Sequence, residues 1–92
     1  STNNLEATTV NASNIQHGTV SITPTANTPT YKHIDFDEPF INIPVVTATA
    51  ESAVIGDTVK GVSVANITTT GCDIYIYRTN TTSTNVNWIA IG

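Results

Sequence analysis

The last eight residues, Asn85-Val86-Asn87-Trp88-Ile89-Ala90-Ile91-Gly92, set the tightest condition on the fold. Extended backbone sends successive side chains to opposite faces, so Val86, Trp88 and Ala90 share one face while Ile89 and Ile91 share the other. A strand in a half-solvated antiparallel sheet alternates apolar and polar residues, because one face meets the core and the other meets water. The second half of this strand has no wet face. An open sheet with one solvated side is therefore disfavoured, and both faces need cover, from a second layer of the domain or from a neighbouring copy.

The rest of the chain supplies the other strands. No segment of useful length carries apolar residues at helical spacing, whereas β-branched runs recur at the intervals of a sandwich. Strands are predicted over residues 19–23, 31–36, 45–51, 58–67, 72–78 and 85–91. Gly18 and Pro24 bracket the first, and the two prolines of the "PTANTPT" stretch exclude a central strand there. "DEPF", Gly56-Asp57 and Thr70-Gly71 mark turns, Pro44 opens the third strand, and "TNTTSTN" is the last loop. Alternation places Ile34 and Phe36 inward with His33 and Asp35 outward. In the fifth strand Cys72, Ile74 and Ile76 point inward, and Asp73, Tyr75 and Tyr77 outward. Six short strands joined by tight turns predict an all-β, six-stranded antiparallel β-sandwich over residues 18–92. Residues 1–17, with Leu5, Val10 and Ile15 spaced by five among small polar residues, read as an N-terminal stem. A chain that starts at Ser1 rather than methionine is expected to be a piece of something larger.

Size and charge narrow the function. A chain of 92 residues buries only roughly 60–65% of its unfolded surface, a thin margin for one domain. Small domains add disulfides, a metal or an oligomeric interface. Cys72 is the only cysteine, which rules out an internal disulfide, and two histidines without a cysteine cluster argue against structural zinc. Oligomerisation is the remaining supplement. Three basic residues, Lys32, Lys60 and Arg78, stand against seven acidic ones for a net charge of −4, so no basic stripe exists for nucleic acid. No apolar run has the length of a membrane span, and no signal peptide is expected.

Little in the chain points to catalysis. There is no strained Gly-x-Ser-x-Gly turn and no glycine-rich phosphate loop, and only His17 and His33 offer an imidazole base. Carboxylates such as Asp35, Asp37, Glu38, Glu51, Asp57 and Asp73 sit on short strands and turns of a domain too small for the cleft that glycoside hydrolysis requires. No enzyme activity and no cofactor are expected. The single metal candidate is His33, Asp35 and Asp37, which spacing of two puts on one strand face. The wet side of an amphipathic strand accounts for the same pattern. Tyr75 and Tyr77 form an outward aromatic ladder with the chain's only arginine, Arg78, at its end. Tyrosine and arginine stack on and hydrogen-bond to sugars at low entropic cost. Equally, the tyrosines suit a subunit interface, with Arg78 paired to Asp73 or to a neighbour's carboxylate. Three Asn-x-Ser/Thr triplets begin at Asn11, Asn66 and Asn80, and a chain this rich in Asn and Thr produces them by chance.

The series Phe36…Phe40…Pro44-Val45-Val46, then Val62-Ser63-Val64…Ile67-Thr68…Thr70-Gly71, then Trp88-Ile89-Ala90-Ile91-Gly92 resembles the H-type lectin domain. Within that group it looks most like the C-terminal modules of tail and baseplate proteins from phages and prophages of Gram-positive bacteria. The resemblance implies a symmetric homotrimer, with Ile89 and Ile91 meeting neighbours around the three-fold axis and a sugar site at the cleft between protomers. Sugar-binding animal members draw that site from an aspartate between strands one and two, an arginine near the start of strand four, and aromatic and histidine residues between strands five and six. Here the corresponding places hold Asn27, Val59 with Lys60, and a loop with Asn80 that lacks both aromatics and histidine, so the animal site is not carried over. Asn27, Lys60, Tyr75, Tyr77, Arg78 and Asn80 are the expected carbohydrate contacts. The expected function is non-catalytic binding of a cell-surface polysaccharide by a trimer at the tip of a phage tail or baseplate, on the virion and outside the cell. A trimerisation and folding cap without ligand is the alternative. At Cys72 the pattern usually has a buried aromatic or aliphatic residue, so a buried, unreactive thiol is expected.

Overall fold

A computed structural model describes residues 14–92. Six strands follow in chain order: β1 Ile15–Ile22, β2 Thr30–Asp35, β3 Val45–Ala50, β4 Val59–Ala65, β5 Gly71–Arg78 and β6 Thr84–Ile91. They form two three-stranded antiparallel sheets, ordered β1-β6-β3 and β2-β5-β4. Both central strands, β5 and β6, come late in the sequence, and the edges are the earlier ones. The all-β sandwich with six strands is the one expected.

The core lies between the sheets and is built by alternation. On β5, Cys72, Ile74 and Ile76 are buried; on β6, Val86, Trp88 and Ala90 are. Phe36, just past β2, and Phe40 complete this layer. Their rings meet edge to face at 5.0 Å between centroids, and Phe36 lies 5.7 Å from Trp88. Each large side chain so buried contributes about 1.5–3 kcal/mol. Trp88 covers Gly18, its cross-strand partner, where an added Cβ would stand 2.8 Å from the indole ring. Gly71 permits an even closer approach, since a Cβ there would overlap the Ile34 carbonyl.

Boundaries moved most at β1 and β4 and by single residues elsewhere. β1 begins at Ile15 instead of residue 19, because it pairs with β6 along its whole length, from Ile15↔Ile91 to Ile22↔Thr84. Residues 15–17, assigned to the stem, are therefore part of the sheet; Leu5 and Val10 lie outside the described residues. β4 ends at Ala65, as Asn66 takes φ +53°, a left-handed conformation that stops a strand. β2 ends at Asp35, and Phe36 turns into the core.

The outer faces of the two sheets differ. On β1-β6-β3, register brings Ile15, Ile91 and Val45 into one cross-strand row, with Ile89 two residues along β6. All four are exposed in the single chain, Ile89 at 47% and Ile91 at 44%. The sandwich covers only the inner face of β6. On β2-β5-β4 the outer face carries Tyr31, His33, Asp73, Tyr75 and Tyr77 instead.

Candidate glycan-binding site

One end of the sandwich gathers three segments distant in sequence. Asn27, at φ +57° in the β1–β2 loop, donates its backbone N–H to the Arg78 carbonyl at 2.7 Å. Thr79, opening the β5–β6 loop, donates its N–H to the Thr58 carbonyl at 3.0 Å, just before β4. The β1–β2 loop, the start of β4 and the β5–β6 loop thus form one continuous surface. Four of the expected contacts, Asn27, Lys60, Arg78 and Asn80, belong to these segments.

Arg78 does not extend the tyrosine ladder. It shares the parity of Ile76, so its side chain runs under the loop end and is only 6% exposed. Nε donates to Asn80 Oδ1 at 2.8 Å, and Nη1 donates to Thr84 Oγ1 at 2.8 Å. Thr84 in turn donates to the Thr82 carbonyl, and the Thr82 N–H donates to Asn80 Oδ1. The guanidinium therefore braces the β5–β6 loop from below. Pairing of Arg78 with Asp73 does not occur, because the two side chains occupy opposite faces of β5. Lys60 is exposed and donates from Nζ to the Gly56 carbonyl at 2.9 Å.

Beside the loop end, Pro29, Gly61, Ser63, Tyr75 and Tyr77 line a shallow groove of about 250 Å³ on the outer face of β2-β5-β4. Its floor is low at Gly61, where a Cβ would meet nothing within 4 Å, next to a register shift between Val59 and Gly61. Tyr75 and Tyr77, both half-buried, stand along it as expected. Tyr31 was not foreseen: it pairs with Tyr75 across β2 and β5, with centroids 5.1 Å apart and planes tilted by 32°. Its parity with His33 and Asp35 was the signal available in the sequence, but the contact needs the β2–β5 register. The arrangement offers ring faces for the C–H faces of a sugar, with small hydroxyl and amide groups beside them.

Further along this face lies a polar cluster. His33 places Nδ1 2.7 Å from Asp73 Oδ1 and Nε2 3.0 Å from Asp35 Oδ1, and Asn66 donates from Nδ2 to Asp73 Oδ2 at 2.8 Å. The hydrogen bonds to Asp73 and then Asp35 raise the His33 pKa. Those from Asn66 and His33 lower that of Asp73. Asp37 lies beyond the end of β2, so Asp73 rather than Asp37 joins His33 and Asp35. A carboxylate engages each ring nitrogen, and the protonated imidazole has no lone pair to offer a cation. Among the described residues, no group of three His, Cys, Asp or Glu side chains is arranged to hold a metal. Cys72 is fully buried, which, with Asp73 beside it, pushes its thiol up to about 11, so it is a poor nucleophile.

Residues 31–91 match the H-type lectin domain. The match spans well over half of the chain, and the chain belongs to the H-type lectin family. Two antiparallel sheets of three strands are consistent with that fold. The family binds carbohydrate and is generally non-catalytic. Among curated proteins, no sequence match was found.

Proposed function

We propose that this chain is a non-catalytic, carbohydrate-binding module that acts as a homotrimer and attaches a phage tail or baseplate to cell-surface polysaccharide. The observation that carries the reading is the convergence of the β1–β2 loop, the start of β4 and the β5–β6 loop beside an open groove walled by Tyr75 and Tyr77. These three segments are where the resemblance puts a sugar. Among the described residues no side chain fills the groove, which favours a binding role over a filled structural plug.

Trimerisation is supported by the exposed row Ile15, Ile91 and Val45, with Ile89 beside it. Three copies around an axis would cover these side chains and answer the two-faced character of β6. Each shallow site buries little area, and three linked sites raise avidity without new contacts. Placement at a virion tip, outside the cell, rests on the likeness of the closing Trp88-Ile89-Ala90-Ile91-Gly92 strand to phage tail modules. The same apolar row also suits a second reading, a trimerisation cap without ligand.

Binding of the labelled chain to a panel of purified Gram-positive cell-wall polysaccharides, with mass measured in parallel, tests the proposal. Saturable binding by a trimer is expected, with a loss of about tenfold or more in Tyr75→Ala and Tyr77→Ala at unchanged mass. A stable trimer that binds nothing on the panel establishes the cap instead.

A further inference from the structure

Arg78 poses a problem that its bracing role does not solve. A guanidinium keeps its charge inside a protein, and buried charges are ordinarily paired. Arg78 is more than nine-tenths buried, yet both of its side-chain acceptors, Asn80 Oδ1 and Thr84 Oγ1, are neutral. Among the described residues, no carboxylate lies within 4.0 Å of it. Among the described residues, Nη2 has no acceptor. Removing a cation from water without a counter-charge is costly, so the lack of a partner charge among the described residues is the feature to explain.

The surroundings are those of an anion site. Residues 23–29 and 79–83, the two loops at this end, contain no acidic side chain but nine Ser, Thr or Asn hydroxyls and amides, Thr23, Thr25, Asn27 and Thr28 in the first and all five residues of the second. Lys60 follows Val59, the cross-strand partner of Arg78, so two of the chain's three basic residues sit at this end. Asp73, the nearest acid in sequence, lies on the opposite face of β5, and Asp57, three residues before Lys60, makes no ion pair among the described residues. Residual exposure of 6% suits a small oxygen anion better than a whole sugar ring.

We propose that the loop end holds an anion subsite built on Arg78, which receives a negatively charged oxygen group of the glycan, a phosphodiester or a carboxylate, on the open edge of its guanidinium. The inference rests on the glycan-binding reading and sharpens it: the ligand is an anionic polysaccharide. Paired N–H donors match the two oxygens of either group, and the Tyr75–Tyr77 groove takes the adjoining sugar.

The test uses the full chain with three probes: poly(glycerol phosphate), a glucuronate-containing polysaccharide and neutral dextran. Binding to one or both anionic polymers is expected, weakened by added salt and by about tenfold in Arg78→Gln, with dextran unbound. Inhibition by glycerol phosphate or by glucuronate identifies which anion is read. Because Arg78→Gln also removes a loop brace, the Nε–H resonance of the single arginine is followed in the unmodified chain during titration with each small anion. A saturable shift is expected. Dextran binding equal to that of the charged polymers, or an unmoved arginine resonance beside tight polymer binding, overturns the anion subsite and leaves glycan binding standing. Absence of binding to any polymer overturns both.

Discussion

The two sheets share an inner core but differ on their outer faces. β1-β6-β3 shows the solvent a row of aliphatic side chains, Ile15, Ile91 and Val45, whereas β2-β5-β4 shows tyrosines and a hydrogen-bonded His33–Asp73–Asn66 cluster. Aliphatic groups offer no directional contact and gain only by leaving water, so their face suits a partner that excludes it. Aromatic rings with hydroxyls and charged groups can be used while wet. On the proposed reading, the difference separates an assembly face from a recognition face within one small domain.

The comparison breaks first at the core the two faces share. Trp88→Ala should cost about 3–5 kcal/mol, because the indole fills the space against Phe36 and Gly18, and denaturant unfolding measures it. Ile89→Ala, one residue away on the opposite face, should leave the isolated protomer within about 0.5 kcal/mol of the parent. A comparable loss for both, measured on the monomer, would mean that the outer face is covered within the chain.

Next in size is the assembly face itself. Ile91→Asp places a charge in the middle of the aliphatic row and should shift sedimentation from trimer to monomer while strand content by circular dichroism is retained. An unchanged mass would move the interface off this sheet. The matching change on the other face, Tyr75→Ala, should leave the mass alone.

The smallest effect belongs to the His33 cluster. A raised His33 pKa adds stability that is complete below its ordinary value of 6.5 and fades as pH rises through the raised value. The lowered Asp73 pKa adds stability that is complete above 3.8 and fades as pH falls through the lowered value. The pair therefore contributes most between about pH 4 and 6.5, and His33→Gln should flatten the alkaline limb of the melting-temperature profile by a few degrees at most. An alkaline limb that survives His33→Gln assigns it to another group.

Much of this was legible before the fold was known. Alternation in residues 72–78 correctly separated Cys72, Ile74 and Ile76 from Asp73, Tyr75 and Tyr77, and the turn residues located five of the six strands closely. Arg78 obeys the same alternation, but a charged residue next to two outward tyrosines was grouped with them by chemistry. Its phase with Ile76 already pointed inward. The strand character of residues 15–17 was hidden for another reason: Gln16 and His17 have little strand preference, and pairing with β6 supplies the order.

Side-chain parity, strand count and the absence of a disulfide or a basic stripe follow from residue type and local spacing, so the sequence alone determined a six-stranded sandwich with a doubly apolar last strand. The tertiary structure decided which of those residues meet. Tyr31 reaches Tyr75, Asp73 displaces Asp37 beside His33, and two loops and the start of β4 converge over a buried Arg78 because antiparallel register joins positions far apart in the chain. Local periodicity carries no information about register, since the same alternating strand satisfies its core face against several partners.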